Sequence, residues 1–488
     1  MSFAIEKLKT KVDREYVGIR LNTEKVKPVH IANGLFRSTL GAIPSTQLLY
    51  RFVFHQTQKG VVPRGHDIDS LLAALRSSDA IGQGVTTENV KDFRIALKRL
   101  LSADNAVYDK QMQSYSTGHK SFVTKDTVGQ DAGEFIGSWL ARIKSPLAAG
   151  IRSALECDAD VLSMLCKPLV SNGADKPVDY ETDINVAKLK CSQQMLKGRE
   201  RHALWKGMES AATTLSKHMG IHPDKLFRLR MAVMFSSLVV LRHITLLESY
   251  YESSSTRTPL PLLIDFGRES GPRLCHAAKQ SFARCIQSIA RFYASAFGEE
   301  LKKLYSAAEL LKLRTPTYKE GQKKKRDDEA ASEIWNSKRQ AASDSRDKYR
   351  LFGEAVYDIL AIQAESDPIK YFRGLGRRIG LLYPPNGVAI PWFAARQDLL
   401  EMLVYCAIEP GEVILVPQLC RRLWERFGIV IGGMDEDESL LESHSILNWD
   451  RDSLRGNCES FSDSLVRLNL ATELADGVMK VAMEAHSS

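Results

Sequence analysis

The sequence predicts a mainly α, multidomain protein with winged-helix-like modules at its N- and C-terminal ends around a helical middle. Three observations predict this. The chain has 488 residues, 44% hydrophobic and 26% charged, enough for two to four domains that each bury a core. Apolar residues recur at helical spacing over most of its length, and strand-like runs are few and short. Near each end, three helical patterns are followed by a hairpin pattern, which is the element order of a winged helix-turn-helix.

After a basic, mixed start, "IPSTQLLYRFVFHQTQKG" predicts a helix opening near Ser45, whose hydroxyl can cap it. "GHDIDSLLAALRSS" predicts a second from about Asp67, and "GVTTENVKDFRIALKRLLS" a third from about Thr87. Val90, Phe93, Leu97, Leu100 and Leu101 give the third helix its buried face. "NAVYDKQMQSYSTGHKSFVTK" then predicts a hairpin turning at Ser116, Thr117 and Gly118. These elements make residues 1–125 an N-terminal module.

Residues 126–312 read as a central helical domain. Two long helical patterns meet at Gly220 and Pro223, which stop one and start the next. The apolar run Met231–Leu241, 11 residues long, is too short to cross a bilayer and predicts a buried helix. "PLPLLIDFG" predicts a strand at 259–267, and "HAAKQSFARCIQSIARFYASAF" returns to helix. Residues 313–326, "LRTPTYKEGQKKKR", form a breaker-rich basic linker.

Residues 327–390 predict a long helix and a Gly/Arg-rich turn. Asp327, Asp328 and Glu329 suit the positive end of a helix, so the preceding cations Lys323, Lys324, Lys325 and Arg326 belong to the loop. Trp335, Ala342, Tyr349 and Val356 recur every seven residues, in a seam that becomes apolar only after Tyr349. The helix is therefore expected to run in solvent over 327–348, pairing Asp344 with Lys348, and to enter a core near Phe352. "YFRGLGRRIGLLYPPNG" spaces Gly374, Gly376 and Gly380 like a phosphate loop, but helix precedes it where such a loop needs strand. A structural turn is expected, with Arg373, Arg377 and Arg378 as a weak anion-binding group.

Residues 391–488 repeat the order of the N-terminal module. "AARQDLLEMLVYCAI" is closed by Pro410 and Gly411, "VPQLCRRLWERFG" by Gly428, and "RDSLRGNCESFSDSLVRLN" is a third helix whose first turn Gly456 weakens. "ATELADGVMKVAM" supplies a hairpin around Asp476 and Gly477.

Charge divides the two ends. Residues 391–488 hold 8 Lys or Arg and 17 Asp or Glu, a net of −9, so residues 1–390 carry +17 of the total of +8. A polyanion is expected to meet the first part of the chain. There, Thr87, Lys91, Arg94 and Lys98 share one stripe of the third helix, opposite its apolar face, as a recognition helix requires. Tyr108, Lys110, Tyr115, His119 and Lys120 on the hairpin reach toward a phosphate backbone, and Lys323 to Arg326 offer a secondary contact. The competing reading is a solvated helix of a basic protein. In the last module Glu459 and Asp463 face outward against Arg467, with "MDEDESLLES" upstream. These carboxylates repel phosphate, so a protein partner is expected there, with Arg421, Arg422 and Arg426 pairing with neighbouring acids.

Motifs for catalysis, metals or cofactors are not expected to operate. His218 and His222 have zinc-helix spacing without the accompanying glutamate, and Gly220 lies between them. Asp265–Gly267 spells a kinase tripeptide with no companion motif, and no G-x-S-x-G occurs. The eight cysteines contain no C-x-x-C pair, which predicts reduced structural thiols in a cytosol-like compartment. No targeting segment or membrane partner is expected, and the location expected is cytoplasmic.

"RQDLLEMLVYCAIEPGEVILVPQLCRRLWERFGIVIGG", followed by "LATELADGV", resembles the tails of uncharacterised accessory proteins encoded in bacterial anti-phage defence operons. The resemblance covers the last fifth of the chain and no catalytic residue. It implies a cytoplasmic bacterial subunit working beside an ATPase, nuclease or methyltransferase. The expected function is a non-enzymatic DNA-binding component of such an assembly. Two alternatives stay open: a helical scaffold that binds only proteins, and a metal-dependent nuclease with dispersed acids, which would gather carboxylates and a lysine in a cleft.

Overall fold

The computed structural model describes residues 3–21, 26–40, 44–45, 86, 88–89, 91–96, 120, 123, 130–157, 171–174, 202–251, 258–267, 271–318, 328–343, 345–363, 367–386, 390–474 and 478–483. These residues are mainly helical, with small sheets. In chain order come α1 (Ile5–Val12), α2 (Pro28–Leu40), β1 (Pro44–Ser45), α3 (Gln130–Arg142), α4 (Pro146–Glu156), β2 (Ser171–Ala174), α5 (Ala203–Ile221) and α6 (Lys225–Tyr251). Then follow β3 (Leu262–Leu263), α7 (Gly271–Leu304), α8 (Ala307–Lys312), α9 (Asp328–Ser343), α10 (Lys348–Gln363), α11 (Pro368–Arg378), β4 (Leu382–Tyr383) and β5 (Trp392–Phe393). The last elements are α12 (Gln397–Ala407), β6 (Val413–Leu415), α13 (Val416–Phe427), β7 (Ile429–Val430), α14 (Asp437–Ser443), α15 (Arg451–Arg467), β8 (Ala471–Glu473) and β9 (Met479–Ala482).

The chain forms two compact units. One comprises Met1–Val26, Val186–His218 and Met234–Ser488, and the other Lys27–Asn185 and Met219–Val233.

In the second unit α2 packs along α3, and both meet α4. Gly133 of α3 lets the backbones touch: a Cβ there would stand 2.0 Å from the Ile31 carbonyl oxygen. β1 pairs antiparallel with β2, Pro44 opposite Ala174. Ser45, expected to cap a helix, sits in β1, and the residues that helix was expected to span lie outside the described residues. Pro44 suits extended backbone, and its strand partner lies far along the chain, where no local pattern reveals it.

In the first unit the 34-residue α7 is the axis. It carries Leu274, Phe282, Ile289, Phe292, Phe297 and Leu301, all at 2% exposure or less. α10 packs along α7 through reciprocal glycines. A Cβ on Gly298 would lie 2.8 Å from the Tyr349 oxygen, and one on Gly353 2.1 Å from the Ala294 oxygen. The sequence predicted buried helix around Met231–Leu241, and α6 extends this to 27 residues, with 94% of its most apolar stretch buried.

The expected solvated helix over 327–348 is corrected. α9 ends at Ser343, α10 starts at Lys348, and the two helices pack on each other. Trp335 is fully buried, its ring 4.8 Å from that of Phe352 and its Nε1 donating to the Leu313 carbonyl at 3.2 Å. Ala331 and Ala342 share its burial, so a thin seam suffices when one of its members is an indole. Lys338 pairs with Glu354 across the two helices at 2.7 Å. Asp344 and Lys323 to Arg326 lie outside the described residues.

At the C-terminal end the three helical patterns appear as α12, α13 and α15, and Gly428, at φ 64°, ends α13 as expected. β6, β9 and β8 form an antiparallel sheet in that order, with Val413 opposite Ala482 and Ala471 opposite Val481. Asp476 and Gly477 lie outside the described residues, but the hairpin they were expected to turn is present as β8 and β9. α15 starts at Arg451 as expected, its first turn capped reciprocally by Asp450 and Ser453.

Residues 428–450 carry β7 and the short α14 between α13 and α15. β7 pairs in parallel with β3, Leu262 opposite Ile429. Asn457 of α15 locks the pair. Its Nδ2 donates to the Ile264 and Ile431 carbonyls at 2.8 and 2.7 Å, and its Oδ1 accepts from the Phe266 amide at 2.8 Å. Leu263, Leu274, Val430, Leu441, Ile446 and Leu454 close a core around this joint.

Candidate functional site

Of the nucleic-acid residues expected in the N-terminal module, Lys91, Arg94 and Lys120 are described; Thr87, Lys98, Tyr108, Lys110 and His119 are not. Thr86 and Asn89 hydrogen bond reciprocally, Thr86 Oγ1 accepting the Asn89 amide at 3.2 Å, which starts a helix where the sequence places one. Lys91 is exposed and Arg94 half-buried, its guanidinium pKa lowered by burial. Lys91 and Arg94 fall one helical turn apart, the spacing of a shared stripe. Phe93 is half-buried.

Arg373, Arg377 and Arg378 all sit on α11, a helix capped by Asp367, whose Oδ1 accepts the Ile369 amide at 2.9 Å. Gly374 and Gly376 lie inside this helix, and Gly380, at φ 77°, ends it. The expected structural turn is thus a helix terminus, and the phosphate-loop reading has no strand before it. The three arginines have different surroundings. Arg378 donates to the Val26 carbonyl at 2.8 Å. Arg373 lies over the Phe282 ring at 5.7 Å, its pKa lowered by burial against the pull of Asp367. Burial in turn raises the Asp367 carboxyl.

A groove of about 320 Å³ is lined by Gly207, Ser210, Glu409, Glu412, Arg422, Glu425 and Arg426. Arg422 grips Glu412 with two hydrogen bonds of 2.7 and 2.6 Å and holds its carboxyl down to about 2. Arg426, expected to meet an acid, donates instead to Thr214 Oγ1 and the Cys406 carbonyl. Lys217 pairs with Glu409 at 2.5 Å. The groove's charges largely neutralise one another, so it serves as a polar joint between α5 and the α12–α13 pair more readily than as a phosphate site. Arg421, the third arginine of that group, faces Glu436 at 3.7 Å.

Two buried carboxylates with lysines bear on the nuclease alternative. Asp13, fully buried, accepts from Lys9 at 2.6 Å, the Leu21 amide at 3.1 Å and Tyr293 at 2.7 Å. Glu300, also fully buried, accepts from Tyr16 at 2.7 Å and Lys303 at 2.5 Å and meets Lys11 at 2.5 Å. Burial alone would raise the Glu300 carboxyl, yet Lys11, Lys303 and Tyr16 together hold it low. These acids brace α1 against α7, and their partners occupy the oxygens a metal or water would need.

His218 Nε2 meets the Ile408 carbonyl at 2.7 Å, and His222 stacks on Phe227 at 4.0 Å. Asp265 accepts the Gly267 amide at 3.0 Å, closing the turn after β3. Among the described residues no group of three or more His, Cys, Asp or Glu side chains is arranged to hold a metal ion. Sequence reasoning missed Asn457 and the Asp13 and Glu300 networks. A lone Asn or Asp at helical spacing carries no local signal of the distant groups it meets.

The exposed face of α15 carries Asp452, Glu459, Asp463 and Arg467. Arg451 and Arg455 lie there too, but each is in an ion pair, with Glu438 at 2.6 Å and Glu459 at 3.2 Å. Asp435, Glu436 and Glu442 extend the acidic surface through α14. No protein-family model, no curated protein and no solved structure matches the chain.

Proposed function

We propose that the chain is a non-enzymatic component of a larger assembly, holding DNA through its basic N-terminal portion and a protein through its acidic C-terminal module. The observation that carries this reading is the order α12–β6–α13–α15–β8–β9 with the sheet order β6-β9-β8. We read that order as a winged helix whose second and third helices are separated by residues 428–450. In such a module α15 occupies the recognition position, and its outward acids and paired arginines favour a protein surface over phosphate. The net of +17 on residues 1–390 favours a polyanion elsewhere, with affinity that falls steeply with salt.

Mobility shift of duplex DNA at low salt tests the first half. Joint charge reversal of Lys91, Arg94 and Lys98 abolishes the shift, and reversal of Arg421 and Arg455 leaves it intact. Arg422 is unsuitable as a control because it holds Glu412. Equal effects, or no shift by the unmodified protein, would overturn the DNA reading in favour of a scaffold. Neutralising Glu436, Glu442 and Asp463 tests the second half: a co-purifying protein is lost while DNA binding stays.

A further inference from the structure

We propose that Cys420 and Cys458 are a reactive dithiol that a hydroperoxide converts to a disulfide bridging α13 and α15. Both cysteines are reduced here. Cys420 is 1% exposed, and Cys458 is partly open to solvent. Their sulfurs converge on one glycine: a Cβ on Gly433 would stand 2.7 Å from Cys420 Sγ and 2.9 Å from Cys458 Sγ. Only a hydrogen fits between the chain at 433 and the two sulfurs. The two thiols are close enough to act on each other's ionisation, which falls for Cys458 and rises for Cys420.

This contact divides the work between them. The neighbouring Cys420 thiol favours thiolate at Cys458, while Cys458 together with burial keeps Cys420 a thiol; Asp437 disfavours the anion at both, and Glu459 at Cys458. Cys458 is thus the accessible and more acidic partner, the profile of a sulfur that meets an oxidant first. Cys285 and Cys406 are fully buried, and burial pushes the Cys285 thiol up to about 12.

The chemistry closes with the hydroperoxide alone. The Cys458 thiolate attacks one peroxide oxygen, an S–O bond forms, the O–O bond breaks, and the leaving oxygen takes a proton as alcohol or water. Cys420 then gives up its proton and attacks the Cys458 sulfur, expelling hydroxide, which that proton turns into water. Two thiols and one hydroperoxide yield one disulfide, one alcohol and one water, two electrons passing from sulfur to peroxide. The bridge closes a loop that contains β7 and α14, and it lies one residue from the Asn457 lock. The inference rests on this geometry and is independent of the proposed DNA and protein contacts.

The test treats the full-length protein with hydrogen peroxide, blocks remaining thiols with an alkylating agent, and maps peptides by mass spectrometry. A crosslinked peptide joining Cys420 to Cys458 is expected, with Cys285 and Cys406 alkylated only after denaturation. In Cys420→Ser, Cys458 is trapped by dimedone as a sulfenic acid, and in Cys458→Ser Cys420 stays a thiol. The oxidised protein melts several degrees higher until a dithiol reductant reverses the bridge. The proposal fails if, in the unmodified protein, Cys458 advances to sulfinic acid beside an intact Cys420 thiol. It fails equally if neither reacts before Cys285 and Cys406 do. The mapping of the unmodified protein decides the matter even where a variant does not fold.

Discussion

Replacing Asn457 with alanine tests whether one side chain holds β3 against β7. The amide is fully buried and makes three hydrogen bonds of 2.7 to 2.8 Å, to the Ile264 and Ile431 carbonyls and from the Phe266 amide. Alanine strands all three backbone groups beside a core that includes Leu263 and Val430. At roughly 1 to 3 kcal/mol for each unsatisfied buried group, and less where water can enter beside Phe266, the sum is about 3 to 5 kcal/mol. The chain has two units, so the loss is best read locally, by hydrogen exchange of peptides covering 258–267 and 428–432. Opening should be some hundredfold to thousandfold more frequent, since about 1.4 kcal/mol is a factor of ten. Asn457→Asp is the sharper companion: it keeps the acceptor for Phe266 but turns two donors into an acceptor facing two carbonyls, and should open at least as readily. An alanine variant whose exchange rises less than about tenfold, under 1.4 kcal/mol, would refute the claim that this amide is the lock.

Other outcomes follow from the buried groups. Burial, and then the Arg242 cation, hold the His202 imidazole down to about 4, against about 6.5 unfolded. As pH falls through that window the unfolded chain binds a proton that the fold refuses, and stability drops by up to about 3 kcal/mol. Burial raises the Asp437 carboxyl to about 6, above about 3.9 unfolded, so over nearly the same window this group adds stability as pH falls. Thermal melts between about pH 4 and 6.5 should therefore show a flatter acid loss in His202→Gln and a steeper one in Asp437→Asn. Trp335→Ala should cost about 3 to 5 kcal/mol in chemical denaturation of the unit that contains α9 and α10, and a loss below 1.4 kcal/mol would return α9 to solvent. Glu412→Gln removes the charge that Arg422 grips at the groove; because the pair is about 30% exposed on each side, the loss should stay near 1 kcal/mol.

How far the sequence reaches depends on where the cause of each element lies. α6, α7, α12 and α13 were legible because their apolar spacing and terminators, such as Gly428, are local. The β8–β9 hairpin was legible for the same reason. β1 was not legible because its partner is β2, far along the chain. α9 was misread because its seam is thin, and only the packing of Trp335 on Phe352 shows that one indole replaces several aliphatics. The N-terminal helix α1 was hidden by its charges: Lys9 and Asp13 look like surface residues until Tyr293 and the Leu21 backbone close around them. The site residues followed the same rule. The Lys91 and Arg94 stripe can be read from spacing alone, whereas Arg426 was assigned an acid and found a carbonyl, because its partner depends on how α13 meets α5.

The meeting of Gly298 and Gly353 has a consequence for kinship. A crossing in which backbone touches backbone fixes two positions by volume alone, without regard to charge, solubility or function. Surface residues such as Lys91 or Glu459 can be exchanged as partners change. A descendant that keeps this helix pair at this separation must still carry a hydrogen where Gly298 and Gly353 stand. Two glycines on a packed pair of core helices are thus a more durable family mark than any of the charged surfaces.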